Sequence, residues 1–465
     1  MKILFVHNYY QQPGGEDVVF EQERQLLERN GHKVVAYCRS NSEVESYSGV
    51  KRLALVRRSI WSGDTRRDFC ELLRRENPDL VHIHNTQVMI SPSIYEACRE
   101  ADVPVVQTLH NYRLSCPAGN FFRDGRICEE CVDQGLWRSV LHACYRNSRP
   151  ETAAVALMLA VHRLRRTWTT GIDCYIALSQ FSRNVFLKAG LPAERVFVKP
   201  NFVHPDPGTC ADGGEYALFV GRLSPKKRVS TILTAWTHLG SRIPLFIIGG
   251  GPEGAQLHTE AALRGLSGVR FQGYLPRDQA LAFMRKARFL IFSSEWYENF
   301  PVTIAESFAC SVPVICSRLG AMQEIVDDGR TGLHFTPGDA EDLAGKVEWA
   351  WNHAELMRAM GMEARQEYES KYTAEKNYPL LMEIYRHAVT RHPGLEVEAR
   401  EPDSSVLGTD AQAGNLLPNC TNAGVVDDGR TGLHFTAGDA EDLAEKSSGP
   451  GITRSVCGQR EWKPG

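Results

Sequence analysis

The stretch FVGRLSPKKRVSTILTAW (219–236) decides the reading of the fold. An apolar strand runs to Gly221, a basic turn carrying Arg222 and Lys227 follows, and a helix begins beyond it. The same unit recurs in both directions. Downstream, PLFIIGGG, VRFQGYL, FLIFSS, PVICS and GLHFT each read as a strand between helical stretches. Upstream, KILFVHN (2–8), KVVAYC (33–38), DLVHIHN (79–85), PVVQTLHN (104–111), CYIALS (174–179) and RVFVKPNF (195–202) repeat the pattern. Continuous β-branched runs between helices indicate parallel strands covered on both faces. The Pro/Gly-rich PDPGTCADGG (205–214) separates the two series. The fold class is therefore α/β, with two doubly wound parallel-sheet, Rossmann-like domains.

Composition narrows the function. A chain of 465 residues can bury two or three cores. Its net charge of -3 gives no global reason to bind nucleic acid. The apolar run ILFV is too short for a signal peptide, and AAVALMLAV (153–161) cannot span a bilayer. A soluble, cytoplasmic protein is expected.

Open α/β sheets bind ligands outside the carboxyl ends of their strands. That rule selects Gly14-Gly15, His84-Asn85, His110-Asn111, Gly221-Arg222, Gly249-Gly250-Gly251, Ser293 to Glu306, and Gly320. The richest segment is SSEWYENFPVTIAESFACSVPVI (293–315). Pro301 suits the first turn of a helix, which places Glu298 in the loop before it and Glu306 in its second turn. The free N–H groups of Val302 and Thr303 then favour an anion such as a diphosphate. Glu306 is placed to accept hydrogen bonds from vicinal hydroxyls such as those of a ribose. Arg222 and Lys227 can neutralise a diphosphate leaving group. The bland alternatives are a surface helix with two solvated carboxylates and a solvated basic loop.

Taken together, G-R-L-x4-K, G-G-G-P, E-x7-E and V-D-D-G-x-T-G-L stand in the order and spacing of one family. Over residues 1–390 the chain resembles a retaining glycosyltransferase of family 4, the two-Rossmann-domain, GT-B type. The resemblance implies an N-terminal acceptor-side domain (1–204), a nucleotide-sugar donor domain (205–377) and a helix (378–390) that returns to the first domain. It implies catalytic roles for His110, Glu298, Arg222 and Lys227. Donor contacts fall to Gly14, Gly15, Arg222, Lys227, Glu298, Phe300, Val302, Thr303 and Glu306. His84 is the alternative to His110, and a structural hydrogen bond is the alternative role for either. Pro301 and Arg228 stand where relatives carry Gly. The implied activity moves a sugar from a nucleotide diphosphate sugar to a glycan or lipid-linked acceptor with retention, in cell-surface polysaccharide synthesis. No cofactor is required. A nucleotide-sugar epimerase of the same fold and a non-catalytic zinc-module binding protein are the competing readings.

A separate constellation lies in LSCPAGNFFRDGRICEECVDQGLWRSVLHACYRNS. Cys116, Cys128, Cys131 and Cys144 are spaced to complete a tetrahedral structural zinc site within an insertion near 113–148. Free thiols or two disulfides are the alternatives. The apolar helix ETAAVALMLAVHRLRRTW (151–168) has a basic end that either complements its dipole or meets an anionic inner membrane surface. Finally, VDDGRTGLHFT occurs at 326–336 and again at 426–436. One extra strand-plus-helix fragment cannot bury its own apolar face. Residues 391–465 are therefore expected to be a disordered tail carrying a duplicated fragment of 326–346.

Overall fold

The computed structural model describes residues 1–11, 14–46, 56–209 and 214–392, with the backbone alone at 44–46. The duplicated fragment and the tail beyond His392 lie outside the described residues.

Two six-stranded parallel sheets organise the chain. The first contains β1 (Lys2–Tyr9), β2 (Lys33–Ser40), β3 (Leu80–Ile83), β4 (Val105–Thr108), β7 (Cys174–Ala177) and β8 (Val196–Val198). A short antiparallel hairpin, β5 (Phe122–Arg123) and β6 (Arg126–Ile127), stands apart from it. The second sheet contains β9 (Tyr216–Val220), β10 (Leu245–Ile248), β11 (Val269–Gly273), β12 (Ala287–Phe292), β13 (Val314–Ser317) and β14 (Gly332–Phe335). All twelve sheet strands read from the sequence are present, and fold class and parallel pairing are as the apolar runs indicated. β3, β4, β7, β13 and β14 are buried along their whole length, which is why their sequences lack polar alternation.

Strand order places the crevices. The first sheet runs β2-β1-β3-β4-β7-β8 and the second β11-β10-β9-β12-β13-β14. Order reverses between β1 and β3 in one, and between β9 and β12 in the other. Ligands of doubly wound sheets settle at such reversals. The turns after β9 and β12 are therefore adjacent, although Lys227 and Glu298 are 71 residues apart.

The helix Ala374–Arg391 packs on the first sheet. Thr373 caps it by accepting from the Lys376 N–H, so it starts earlier than the apolar pattern from Tyr378 indicates. Tyr385 Oη meets His82 Nδ1 at 2.7 Å, and Asn377 Oδ1 accepts from Lys199 Nζ at 2.9 Å. Lys199 and Glu23 are fully buried and pair at 2.6 Å, tying the end of β8 to the helix Gly15–Arg29.

Candidate active site

The turn after β9 and the loop after β12 are stitched by their own backbones. Glu295 N–H donates to Lys226 O at 3.0 Å, and Ser293 Oγ donates to Lys227 O at 2.7 Å. Lys227 Nζ then reaches Glu298 Oε1 at 2.6 Å. Ser294 Oγ and Trp296 Nε1 donate to the same oxygen, each at 2.8 Å. Glu298 is buried, so these three donors replace water. Arg222 is exposed and makes no hydrogen bond or ion pair among the described residues.

Below them begins the helix Val302–Ala309. Pro301 is its N-cap and not its first helical residue, and no side chain caps it. Ile304 N–H already bonds Pro301 O at 2.9 Å, which leaves the Val302 and Thr303 N–H groups to face the crevice as first-turn donors. Glu306 lies in the second turn. Its Oε1 accepts from Arg277 Nε at 2.7 Å. Burial raises the Glu306 carboxyl, and Arg277 opposes that rise. Arg277 escaped the sequence reading because only its position after β11 marks it; its Nη2 is buried without a partner. Phe300 is a different matter. Its side chain is buried and packs on Tyr372 at 5.5 Å, so only its backbone is left to meet a donor.

Two backbone features fit these turns together. A Cβ on Gly249 or Gly251 would come within 1.9 Å of Gly221 O and 2.2 Å of Leu223 O. Only glycine lets the turn after β10 lie flat against the turn after β9. Arg228 keeps a left-handed backbone at φ 48 and ψ 47. Its guanidinium offsets that strain by bonding Glu295 Oε2 at 2.7 Å through Nε.

The opposite wall comes from the first sheet. Gly14 caps the helix Gly15–Arg29, and its N–H donates to Asp17 Oδ2 at 2.8 Å. Nothing lies within 4 Å of a Cβ built on Gly14 or Gly15, and neither glycine needs a left-handed backbone. His110 Nε2 lies 3.0 Å from His84 Nδ1, with the rings stacked. Burial, then the charges of His7 and Lys199, pushes His110 down to about 3, so it is neutral near pH 7. His84 and His82 are held well below the usual histidine range, chiefly by burial. Glu16, beside the glycine pair, was not singled out in the sequence. Burial and then Asp17 push its carboxyl up to about 8. The two walls touch where Asn299 Nδ2 donates to Leu109 O at 3.1 Å.

Two family models match end to end: Glycosyltransferase Family 4 over 13–207 and Glycosyl transferases group 1 over 205–367. The chain superposes on the crystal structure of Anabaena HepE in complex with UDP-glucose with a TM-score of 0.59, at 18% identity, over 83% of this chain and all of that one. The fold is GT-B. Among sequence relatives of this GT-B chain, an uncharacterised glycosyltransferase of Methanocaldococcus jannaschii is 31% identical over 47% of this chain and 60% of its own. The O-antigen chain mannosyltransferase C of Escherichia coli is 29% identical over 37% of this chain and 47% of its own. The chain thus spans about half the length of the curated relatives it matches.

The four cysteines of the insertion line one pocket together with Arg123, Glu130 and Arg138. All four are free thiols. On the helix Arg149–Leu164, His162 is buried and bonds Ile60 O at 2.9 Å, while Leu157, Arg163 and Leu164 are exposed. No described helix is long and apolar enough to cross a membrane.

Proposed function

We propose that the chain is a retaining glycosyltransferase of family 4 that moves a sugar from a nucleotide diphosphate sugar to a glycan or lipid-linked acceptor in cell-surface polysaccharide synthesis. The observation that carries this is the convergence at one strand-order reversal of Arg222, Lys227, Glu298, Glu306 and an uncapped helix N-terminus. The matched family models, the UDP-glucose held by HepE and the mannosyltransferase relative support it.

In this reading the diphosphate lies against the Val302 and Thr303 N–H groups, with Arg222 and Lys227 neutralising charge that grows as the anomeric bond breaks. Glu306 holds the ribose, and Glu298 the donor sugar. His110, neutral and wedged against His84, offers a hydrogen bond to the sugar and adds no positive charge beside an oxocarbenium-like centre. The bond from the anomeric carbon to the β-phosphate oxygen breaks, and a bond to the acceptor oxygen forms on the same face. The acceptor proton passes to the departing phosphate. Side chains and helix N–H groups supply the positive charge, so catalysis requires no cofactor. Exposed Leu157 and Leu164 beside Arg163, Arg165 and Arg166 give the chain a face for an anionic inner membrane surface that carries the acceptor.

Thermal denaturation against a panel of nucleoside diphosphates tests the donor site, because a ligand of the folded state raises the melting temperature. NMR of the product then reads the anomeric outcome. Absence of any nucleoside diphosphate effect sinks the donor assignment, and an inverted product sinks retention.

A further inference from the structure

We propose that Cys116, Cys128, Cys131 and Cys144 bind one zinc ion, and that the metal holds the insertion as a clasp across the cleft, against the donor-side loops. The four side chains come from a turn, the end of the β5–β6 hairpin, the helix Glu130–Asp133 and the segment after the helix Trp137–Leu141, yet line one pocket. A hairpin feeding a C-x2-C pair, completed by one thiol from either side, is the donor set of a structural zinc knuckle. The insertion has little regular secondary structure. Its helices are very short, and Phe121, Asp124, Ala143, Arg146 and Asn147 all take left-handed backbone.

Coordination of a divalent ion deprotonates the thiols that bind it. Among the described residues, only Glu23, His82 and His84 hold three donor atoms mutually within 4.8 Å, and Lys199 already pairs with Glu23 there; the cysteine pocket has cations of its own in Arg123 and Arg138, each paired with Glu130. The cysteine sulfurs stand wider, and zinc draws them together.

What the knuckle grips is the reason to place it in the function. Glu129, inside C-E-E-C, accepts from Tyr297 Oη at 3.0 Å, one residue before Glu298. Gly125, in the hairpin turn at φ +77, gives its carbonyl to Arg228 Nη2 at 3.2 Å. Phe121 and Tyr112 pack on the Tyr297 ring. Each contact joins the insertion to a loop that carries a candidate donor residue.

The test uses the full chain, purified and dialysed against metal-free buffer. Elemental analysis is expected to find about one zinc per chain, the stoichiometry of a four-ligand site. Thiol labelling read by mass spectrometry should find these four cysteines protected until a chelator is added, then reactive. Amide exchange should rise on chelation in 113–148 and around Tyr297. Cys128→Ser should lose the zinc; if it does not fold, the labelling of the unaltered chain decides alone. A metal-free chain whose four thiols react at once, or which holds them as disulfides, overturns the site. Zinc removal without a change in exchange around Tyr297 overturns the clasp. None of these readouts depends on transfer, so they stand or fall separately from the activity proposed above.

Discussion

Lys227 Nζ lies 2.6 Å from Glu298 Oε1, across the strand-order reversal of the second sheet. The cation proposed for the leaving diphosphate and the carboxylate proposed for the sugar are therefore each other's partner before any donor arrives. A diphosphate must compete with Glu298 for the ammonium, and the sugar hydroxyls must replace Lys227 on the carboxylate. The pair keeps a buried carboxylate satisfied, where an unpartnered one would be costly.

Glu298→Gln should therefore bind a nucleoside diphosphate more tightly than the unaltered chain while turning over donor more slowly. Isothermal titration and a transfer assay on the same preparation check this. Weaker diphosphate binding by the Gln variant would refute the competition.

Arg222 offers the complementary case, because it is exposed and unpaired among the described residues. Arg222→Ala should change stability by no more than about 0.5 kcal/mol, as surface substitutions do. Turnover should fall, since leaving-group charge is greatest in the transition state. Wild-type turnover would remove Arg222 from the mechanism, and a large loss of melting temperature would make it structural.

Glu306→Ala should weaken nucleotide binding by about 1–3 kcal/mol through lost charged hydrogen bonds. Arg277→Ala should raise the Glu306 carboxyl further, since Arg277 is what opposes the rise from burial. Titration calorimetry across pH reads both. Unchanged nucleotide affinity in a folded Glu306→Ala chain would falsify the ribose role.

Two sets of buried groups should oppose each other between pH 4.5 and neutrality. His82, His84 and His110 are held neutral in the fold and take up protons when unfolded, so stability drops as pH falls below the ordinary histidine value of 6.5. Glu16 acts oppositely. Its folded pKa of about 8 exceeds the ordinary 4.5, so the fold holds the proton more tightly, and stability drops as pH rises between those values. Melting temperature against pH for the unaltered chain and for Glu16→Gln tests this. The Gln variant should lose less as pH rises from 4.5 to about 8; parallel curves over that range would count against the assignment.

Lys199→Ala should cost about 3–5 kcal/mol, because it leaves the Glu23 charge buried without its partner. Denaturant unfolding measures the loss. A small effect would mean that water reaches Glu23 once the lysine is gone.

The amino-acid order determined the elements and their class. Runs such as KILFVHN and PVICS are apolar on both faces because helices cover both faces of a parallel sheet, and a short window suffices to read that. The same holds for Glu298 and Glu306, whose loop and second-turn positions follow from Pro301 even though the proline proved to be the cap. Phe300 shows the limit: its position in the motif was legible, but not that its ring turns to Tyr372. Partners were decided only by the tertiary structure. Nothing near Lys227 announces Glu298, nothing near Glu306 announces Arg277, and Lys199 meets Glu23 from 176 residues away. Strand order makes such residues neighbours. The ionisation of Glu16 and His110 likewise depends on desolvation, which only the packed chain supplies. Periodicity is a property of consecutive residues, whereas ion pairing and dielectric are properties of whatever the fold brings within a few ångströms.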